Sequence, residues 1–259
     1  MALLTVLIPL HKARSWIDVV SENIRCCPMD CRILISDRTL ADDALSALKN
    51  LHAHDTRIYF LGKKGTPGWR EHINWLLPKV KTRFFSILAQ DDSISNEYYE
   101  KLLEAHQRDP RLAISFGSII AHNLPGKSEP VRFSGLPIKT GVNKPWEEAI
   151  ELAARWNLGI PYRGVIKGNC TRKVAPTPGD RFADFVWVFG IGLKGYIQEV
   201  EGALYHKRYH DRSTHLTWAP LTAEERVRFL TKELKRGLLF WPFEVKKRVS
   251  HLLTRLSVK

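Results

Sequence analysis

The chain has 259 residues, 44% of them hydrophobic and 26% charged, with no low-complexity tract and no fixed-period repeat, which excludes a disordered, fibrous or solenoid protein. Its 40 Lys and Arg against 27 Asp and Glu leave a net charge of +13, which favours anionic partners such as nucleic acid, nucleotide-sugar phosphates or an acidic membrane face. No apolar run is long enough to span a bilayer, and the apolar start from Met1 to Leu10 lacks a basic leader and a small-residue cleavage site, so a cytoplasmic protein is expected.

Leu3 to Ile8 is a strand ending at Pro9, and Ser15 to Ile24 a helix with Trp16, Val19, Val20 and Ile24 on one face. Cys26, Cys27 and Cys31 cluster, with Cys170 far away; the spacing matches no zinc pattern and is read as packing. Arg32 to Ser36 is a second strand ending at Asp37, Asp42 to Leu51 a helix, and Arg57 to Leu61 a third strand. Gly62 to Gly68 is a loop, and the helix from Trp69 ends at Pro78.

Phe84 to Ala89 reads as a strand buried on both faces, and it stops at Asp91 and Asp92. In an open α/β sheet the carboxyl ends of the strands face a ligand crevice, so this pair is placed to hold Mg²⁺ or Mn²⁺ bridging a diphosphate. The plainer alternative is that the acids merely precede a helix capped by Ser95 or Asn96. That helix runs to Gln107, and Leu112 to Ile120 is a fifth strand, giving the strand and helix alternation of a mostly parallel sheet.

Gly126 to Val142 has few helix signals and reads as loop with short strands. Pro145 to Asn157 is a helix, Pro161 to Pro178 an irregular basic stretch, Arg181 to Lys194 a helix, Tyr196 to Glu201 a strand, and Leu204 to Ser213 a dense polar and aromatic segment.

Four places, Thr5-Val6-Leu7-Ile8-Pro9, Ile35-Ser36-Asp37, Gln90-Asp91-Asp92, and Ala183-Asp184 leading to Leu204-Tyr205-His206-Lys207-Arg208-Tyr209-His210, carry a resemblance. In order and spacing the chain from about 3 to 215 resembles glycosyltransferase family 2, the inverting nucleotide-sugar enzymes of GT-A fold. The resemblance implies a GT-A domain over residues 1–219 and a nucleoside diphosphate sugar donor of UDP or dTDP type, with a glycan or lipid-linked acceptor.

On this resemblance Asp184 is the general base, with Asp180 the nearby competitor. Pro9, Asp37, Lys64, Arg70 and Asp91 would meet the nucleotide, Asp37 taking the base N–H of uracil or thymine unless it is only a turn-forming residue. Asp92 and His206 would bind the metal, and Arg208 and His210 the phosphates. His206, Arg208 and His210 share a face only if their segment is extended. The chain departs from the family pattern at Gln90, where another acid is common, and at Ala183, where a Glu commonly precedes the base.

Residues 220–259 lie beyond the resemblance and hold ten Lys and Arg against four Glu. The stripe of Val245, Val249, Leu252, Leu253 and Leu256 beside Lys246, Lys247, Arg248 and Arg255 reads as a basic amphipathic helix. It would lie on an anionic membrane surface at the cytoplasmic face, or pack on its own domain or on a second copy in an oligomer. Two other functions stay open. A sugar nucleotidyltransferase would carry a Gly-rich phosphate loop, and Pro9 to Arg14 has no glycine; a nucleic-acid binder fits the charge, but the acidic strand end repels phosphate, so no nucleic acid is expected.

Overall fold

Short apolar runs build one nine-stranded sheet in this computed structural model. It describes residues 2–62, 64–65, 68–135, 140–154, 159–171, 183–211, 213, 222, 224–225, 228, 247 and 250. The strands are β1 (Leu4–Leu10), β2 (Arg32–Asp37), β3 (Ile58–Gly62), β4 (Phe84–Ile87), β5 (Ser93–Ile94), β6 (Leu112–His122), β7 (Val131–Phe133), β8 (Val165–Lys167) and β9 (Tyr196–Arg208). The helices are α1 (Ile17–Arg25), α2 (Ala44–Leu51), α3 (Trp69–Leu76), α4 (Tyr98–Arg108), α5 (Pro145–Ala154) and α6 (Ala183–Gly192).

The strand order is β3-β2-β1-β4-β8-β6-β9-β5, with β7 paired to β6. The first four strands are parallel, Val6 lying opposite both Ile33 and Ser86. Strand β8 runs antiparallel between β4 and β6, and β9 runs parallel to β6. Successive strand residues face opposite sides. Leu7 accordingly packs with Ile73 of α3, Leu152 of α5 and Trp187 of α6, while Val6 and Ile8 pack with Val20 and Ile24 of α1, Leu48 of α2 and Tyr98 of α4. A helix that is apolar all round must be buried on every side. Helix α6 is such a helix, and Phe185 through Gly192 are all buried, which fixes Asp184 at its first turn.

Two stretches differ from expectation. The supposedly irregular region after Pro161 contains β8, which closes the sheet between β4 and β6. The aromatic segment from Leu204 is the second half of one strand, β9, whose register against β6 shifts between Gly117 and Ser118. That shift drives two backbones together: a Cβ on Gly117 would sit 2.1 Å from the Ala203 carbonyl oxygen, so only glycine fits there. Cys27, Cys31 and Cys170 are buried in the core. The expected tail helix lies almost wholly outside the described residues; Glu224, Glu225, Arg228, Lys247 and Ser250 are helical. Among the described residues no helix is long and apolar enough to cross a membrane.

Two buried histidines brace the sheet. His106 Nε2 meets the Val165 carbonyl at 3.1 Å, with its ring 4.6 Å from that of Phe84, and His72 Nε2 lies 2.6 Å from Ser36 Oγ. Burial pushes each imidazole down to about 4. The unfolded chain takes up these protons near pH 6.5 and the folded chain only near 4, so folding binds fewer protons in that window and stability is lost as pH falls through it. Between pH 7 and 4.5 each ring should withdraw on the order of 2–3 kcal/mol of unfolding free energy. In urea titrations at the two pH values, His106→Gln should show a smaller loss than wild type; parallel losses would mean that the ring is not held neutral.

Candidate active site

The turn after β4 is where the site assembles, because β4 ends at Ile87 and the chain reverses through Gln90, Asp91 and Asp92 into β5. Gln90 clasps the end of β1, its Oε1 accepting from the His11 N–H (2.7 Å) and its Nε2 donating to the His11 carbonyl (2.8 Å). Gln90, where the resemblance leads to the expectation of another acid, therefore has a structural partner. Beside it Lys12 has a φ of 49°, a left-handed conformation that a non-glycine residue adopts only when its surroundings hold it there.

Asp92 is 1% exposed. Its Oδ2 accepts from the Tyr205 hydroxyl and its Oδ1 from the Arg208 N–H, each at 2.9 Å, and Arg163 Nε lies 3.9 Å from Oδ2. Burial pushes its carboxyl up, and Arg163 and Lys207 oppose that. Asp91 is more open, and its Oδ2 lies 2.8 Å from His210 Nε2. Trp16 packs on that histidine, ring centroids 5.0 Å apart. On the far wall Asp184 heads α6, its Oδ1 accepting from the Phe185 N–H (2.9 Å), and burial pushes its carboxyl up as well.

These groups share one cavity of about 730 Å³, whose walls include Pro9, Asp91, Asp92, Arg163, Asp184, Lys207 and His210. Lys207 is pulled down to about 8 by burial first and by Arg163, against the attraction of Asp92, Asp91 and Asp184. Three carboxylates and two largely buried cations thus face a common space in which ordinary side-chain charges are expensive, a pattern that marks sites of binding or catalysis.

The other expected site residues lie elsewhere. Asp37 is fully buried beneath the end of β2, its Oδ1 accepting from the N–H and hydroxyl of Thr39 and from the Leu40 N–H, while Oδ2 has no hydrogen-bond partner among the described residues. Lys64 is exposed and Arg70 half-buried, and neither is among the described residues lining the cavity.

His206, Arg208 and His210 do not act from one face. His206 turns to the opposite side of the sheet, its Nδ1 3.0 Å from His122 Nε2 with the rings stacked. Arg208 contributes its backbone N–H to Asp92. His210 enters the cavity because β9 has already ended at Arg208.

This changes the donor set open to a cation. Asp92 and His206 were the expected ligands, yet both oxygens of Asp92 are already engaged and His206 faces away. Asp91 and His210 hold an oxygen and a nitrogen at hydrogen-bond distance, and a cation replacing the proton between them would use the same two atoms. Among the described residues no group of three metal-binding side chains exists. The Asp91 carboxylate nevertheless fits Mg²⁺ or Mn²⁺, which are commonly held by one or two carboxylates together with waters and substrate phosphates, and the His210 nitrogen suits the transition metal Mn²⁺ better than Mg²⁺.

No protein-family model matches the chain, and no curated protein matches it. Solved structures do. TarS 1–349 from S. aureus in complex with UDP-GlcNAc superposes with a TM-score of 0.72 at 12% identity, over 98% of this chain and 71% of that one. The mannosyltransferase PcManGT from Pyrobaculum calidifontis, in complex with GDP-Man and Mn²⁺, superposes with a TM-score of 0.62 at 14% identity, over 98% of this chain and 69% of that one. The fold is GT-A-like.

In this GT-A-like frame the cavity lies at the carboxyl ends of β1 and β4, where an open α/β sheet receives its ligand. Arg163, Lys207, Tyr205 and Trp16 belong to the site although the sequence did not single them out. Tyr205 and Lys207 alternate along β9, and that period was the one available signal for them.

Proposed function

We propose that the protein is an inverting glycosyltransferase that moves a sugar from a nucleoside diphosphate donor to a hydroxyl of a glycan or lipid-linked acceptor. The observation that carries this is the gathering of Asp91 with His210, Asp92 with Tyr205 and Arg208, and Asp184 around one cavity.

The donor diphosphate sits against Lys207 and Arg163, whose charges match phosphate oxygens. Asp91 and His210 would hold Mg²⁺ or Mn²⁺, which supplies Lewis-acid stabilisation of charge on the diphosphate. Asp92 does not ligate; its two hydrogen bonds fix the turn that aims Asp91. Asp184, raised by burial and hence a stronger base than an ordinary carboxylate, takes the proton from the acceptor hydroxyl as that oxygen attacks the sugar C1 and the C1–diphosphate bond breaks. A UDP or dTDP donor is part of this reading, but Asp37, fully buried and not among the described residues lining the cavity, would act on its base only indirectly.

Calorimetric titration of UDP, dTDP and GDP, each with and without Mn²⁺, tests the reading. One nucleotide should bind in a Mn²⁺-dependent way, and Asp91→Asn should weaken that binding by about tenfold or more. Absence of binding by all three under both conditions would remove the proposal.

A further inference from the structure

Beside the main cavity lies a smaller one of about 170 Å³, walled by Phe116, Arg132, Phe133, Gly135, Ile160 and Glu199 among others. Among the described residues the two share one, Phe133, at the end of β7. Its side chain is a large apolar group left 39% exposed, on a strand of only three residues, where it forms the sill between the two spaces.

The sill is firmly mounted. Glu199 of β9 accepts from Ser118 Oγ through Oε1 (3.0 Å) and from the Gly135 N–H through Oε2 (2.6 Å), and Arg132 Nη2 donates to the same Ser118 Oγ (3.2 Å). These bonds tie the end of β7 to β6 and β9, and Gly135 has a φ of 87°, a left-handed turn that glycine adopts without strain. Phe133 is thus positioned before any ligand arrives.

The lining has a specific chemistry. Phe116 lines it with an apolar ring and Phe133 forms its edge toward the main cavity, where its strand partner Ile119 also lies, whereas Glu199, Arg132 and the polar backbone near Gly135 offer both acceptors and donors. An aromatic platform beside mixed hydrogen-bonding groups suits a ligand with one C–H face and a rim of hydroxyls. The acid and the base cancel each other's charge, which disfavours a phosphate and favours a neutral ligand.

We infer that this annex seats a neutral sugar ring of the acceptor, whose hydroxyl reaches over Phe133 into the cavity that holds Asp184. The inference rests on the glycosyl-transfer reading and gives it an acceptor class: a carbohydrate, not a protein side chain or a bare lipid phosphate.

Saturation-transfer NMR on the full chain, with Mn²⁺, UDP or GDP and a panel of methyl glycosides of glucose, galactose, mannose and N-acetylglucosamine, tests it. At least one glycoside should receive saturation from wild type. Phe133→Ala should weaken that glycoside about tenfold and Phe133→Tyr should restore it, while Glu199→Gln, in the annex and not in the main cavity, should weaken the glycoside with nucleotide affinity moving by under about twofold. A misfolded or generally loosened variant would lose both ligands together. A wild type that binds no glycoside, or Phe133→Ala binding glycoside within about twofold of wild type, overturns the annex. Failure of the wild type to bind any nucleotide overturns the transferase reading instead, so the two failures are separable.

Discussion

Asp184→Asn is expected to lower the transfer rate by about 10²–10⁴-fold while leaving donor nucleotide binding intact. The amide has the size of the carboxylate and can keep accepting from the Phe185 N–H, but it cannot take a proton. Because the lost interaction exists only as the acceptor is deprotonated, kcat and kcat/KM should fall together. Stability should not fall with them. Burial already makes the ionised carboxylate costly, so a neutral side chain relieves that cost and the variant should unfold at an equal or higher temperature. In wild type the rate should climb as pH rises through the elevated carboxyl value, and that acid limb should vanish in the variant. Steady-state kinetics across pH, beside a thermal melt, measure all three. Wild-type turnover in Asp184→Asn would transfer the role to another acid such as Asp180, which lies outside the described residues.

Asp92→Ala should have the largest effect on the folded state, and for a different reason. The carboxylate is the acceptor for Tyr205 and for the Arg208 N–H, and it is the acid 3.9 Å from the largely buried Arg163. Its removal leaves two donors unsatisfied and a cation uncompensated, which for a buried pair costs about 3–5 kcal/mol. For a chain of this size that loss corresponds to a melting temperature lower by roughly 10 °C. The turn carrying Asp91 loses its anchor at the same time, so metal-dependent nucleotide binding should disappear. Asp91→Asn is the contrast: its carboxylate is a quarter exposed and paired with one histidine, so it should lose nucleotide affinity with little change in stability. If Asp92→Ala melts like wild type, the buried network is not holding the site.

Much of the architecture was legible because β1, β2 and β4 are covered on both faces and so read as unbroken apolar runs bounded by polar residues. The acids at the end of β4 were legible for the same reason, since the pattern stops where the strand leaves the core. Strand β8 was not: Val165, Ile166 and Lys167 are too few to show a period, and what makes them a strand is pairing with Phe84–Ser86 and Ile114–Ser115, far away in sequence. Arg163, two residues before β8, was lost within the same stretch. The division of labour between Asp91 and Asp92 was hidden too, because it depends on Tyr205 and Arg208, more than a hundred residues later, closing on one carboxylate and not its neighbour. His206 was misplaced because its stacking partner, His122, sits on another strand 84 positions earlier. Local pattern fixes which residues stand at a strand's end, and distant pairing decides which way they point.

The clasp on Asp92 spans 116 positions of sequence to Arg208, and it carries a temporal consequence. During synthesis the first four strands leave the ribosome and can pair well before β9 exists, since their partners are near in sequence. The turn that carries Asp91 and Asp92 then waits, its buried acid without either donor, until the last long strand arrives beside β6. Contacts of such separation form late because the chain must first surrender the freedom of the intervening loop. A partly made chain would therefore have most of its scaffold before the turn that carries Asp91 and Asp92 is anchored, so that anchoring marks completion of the sheet.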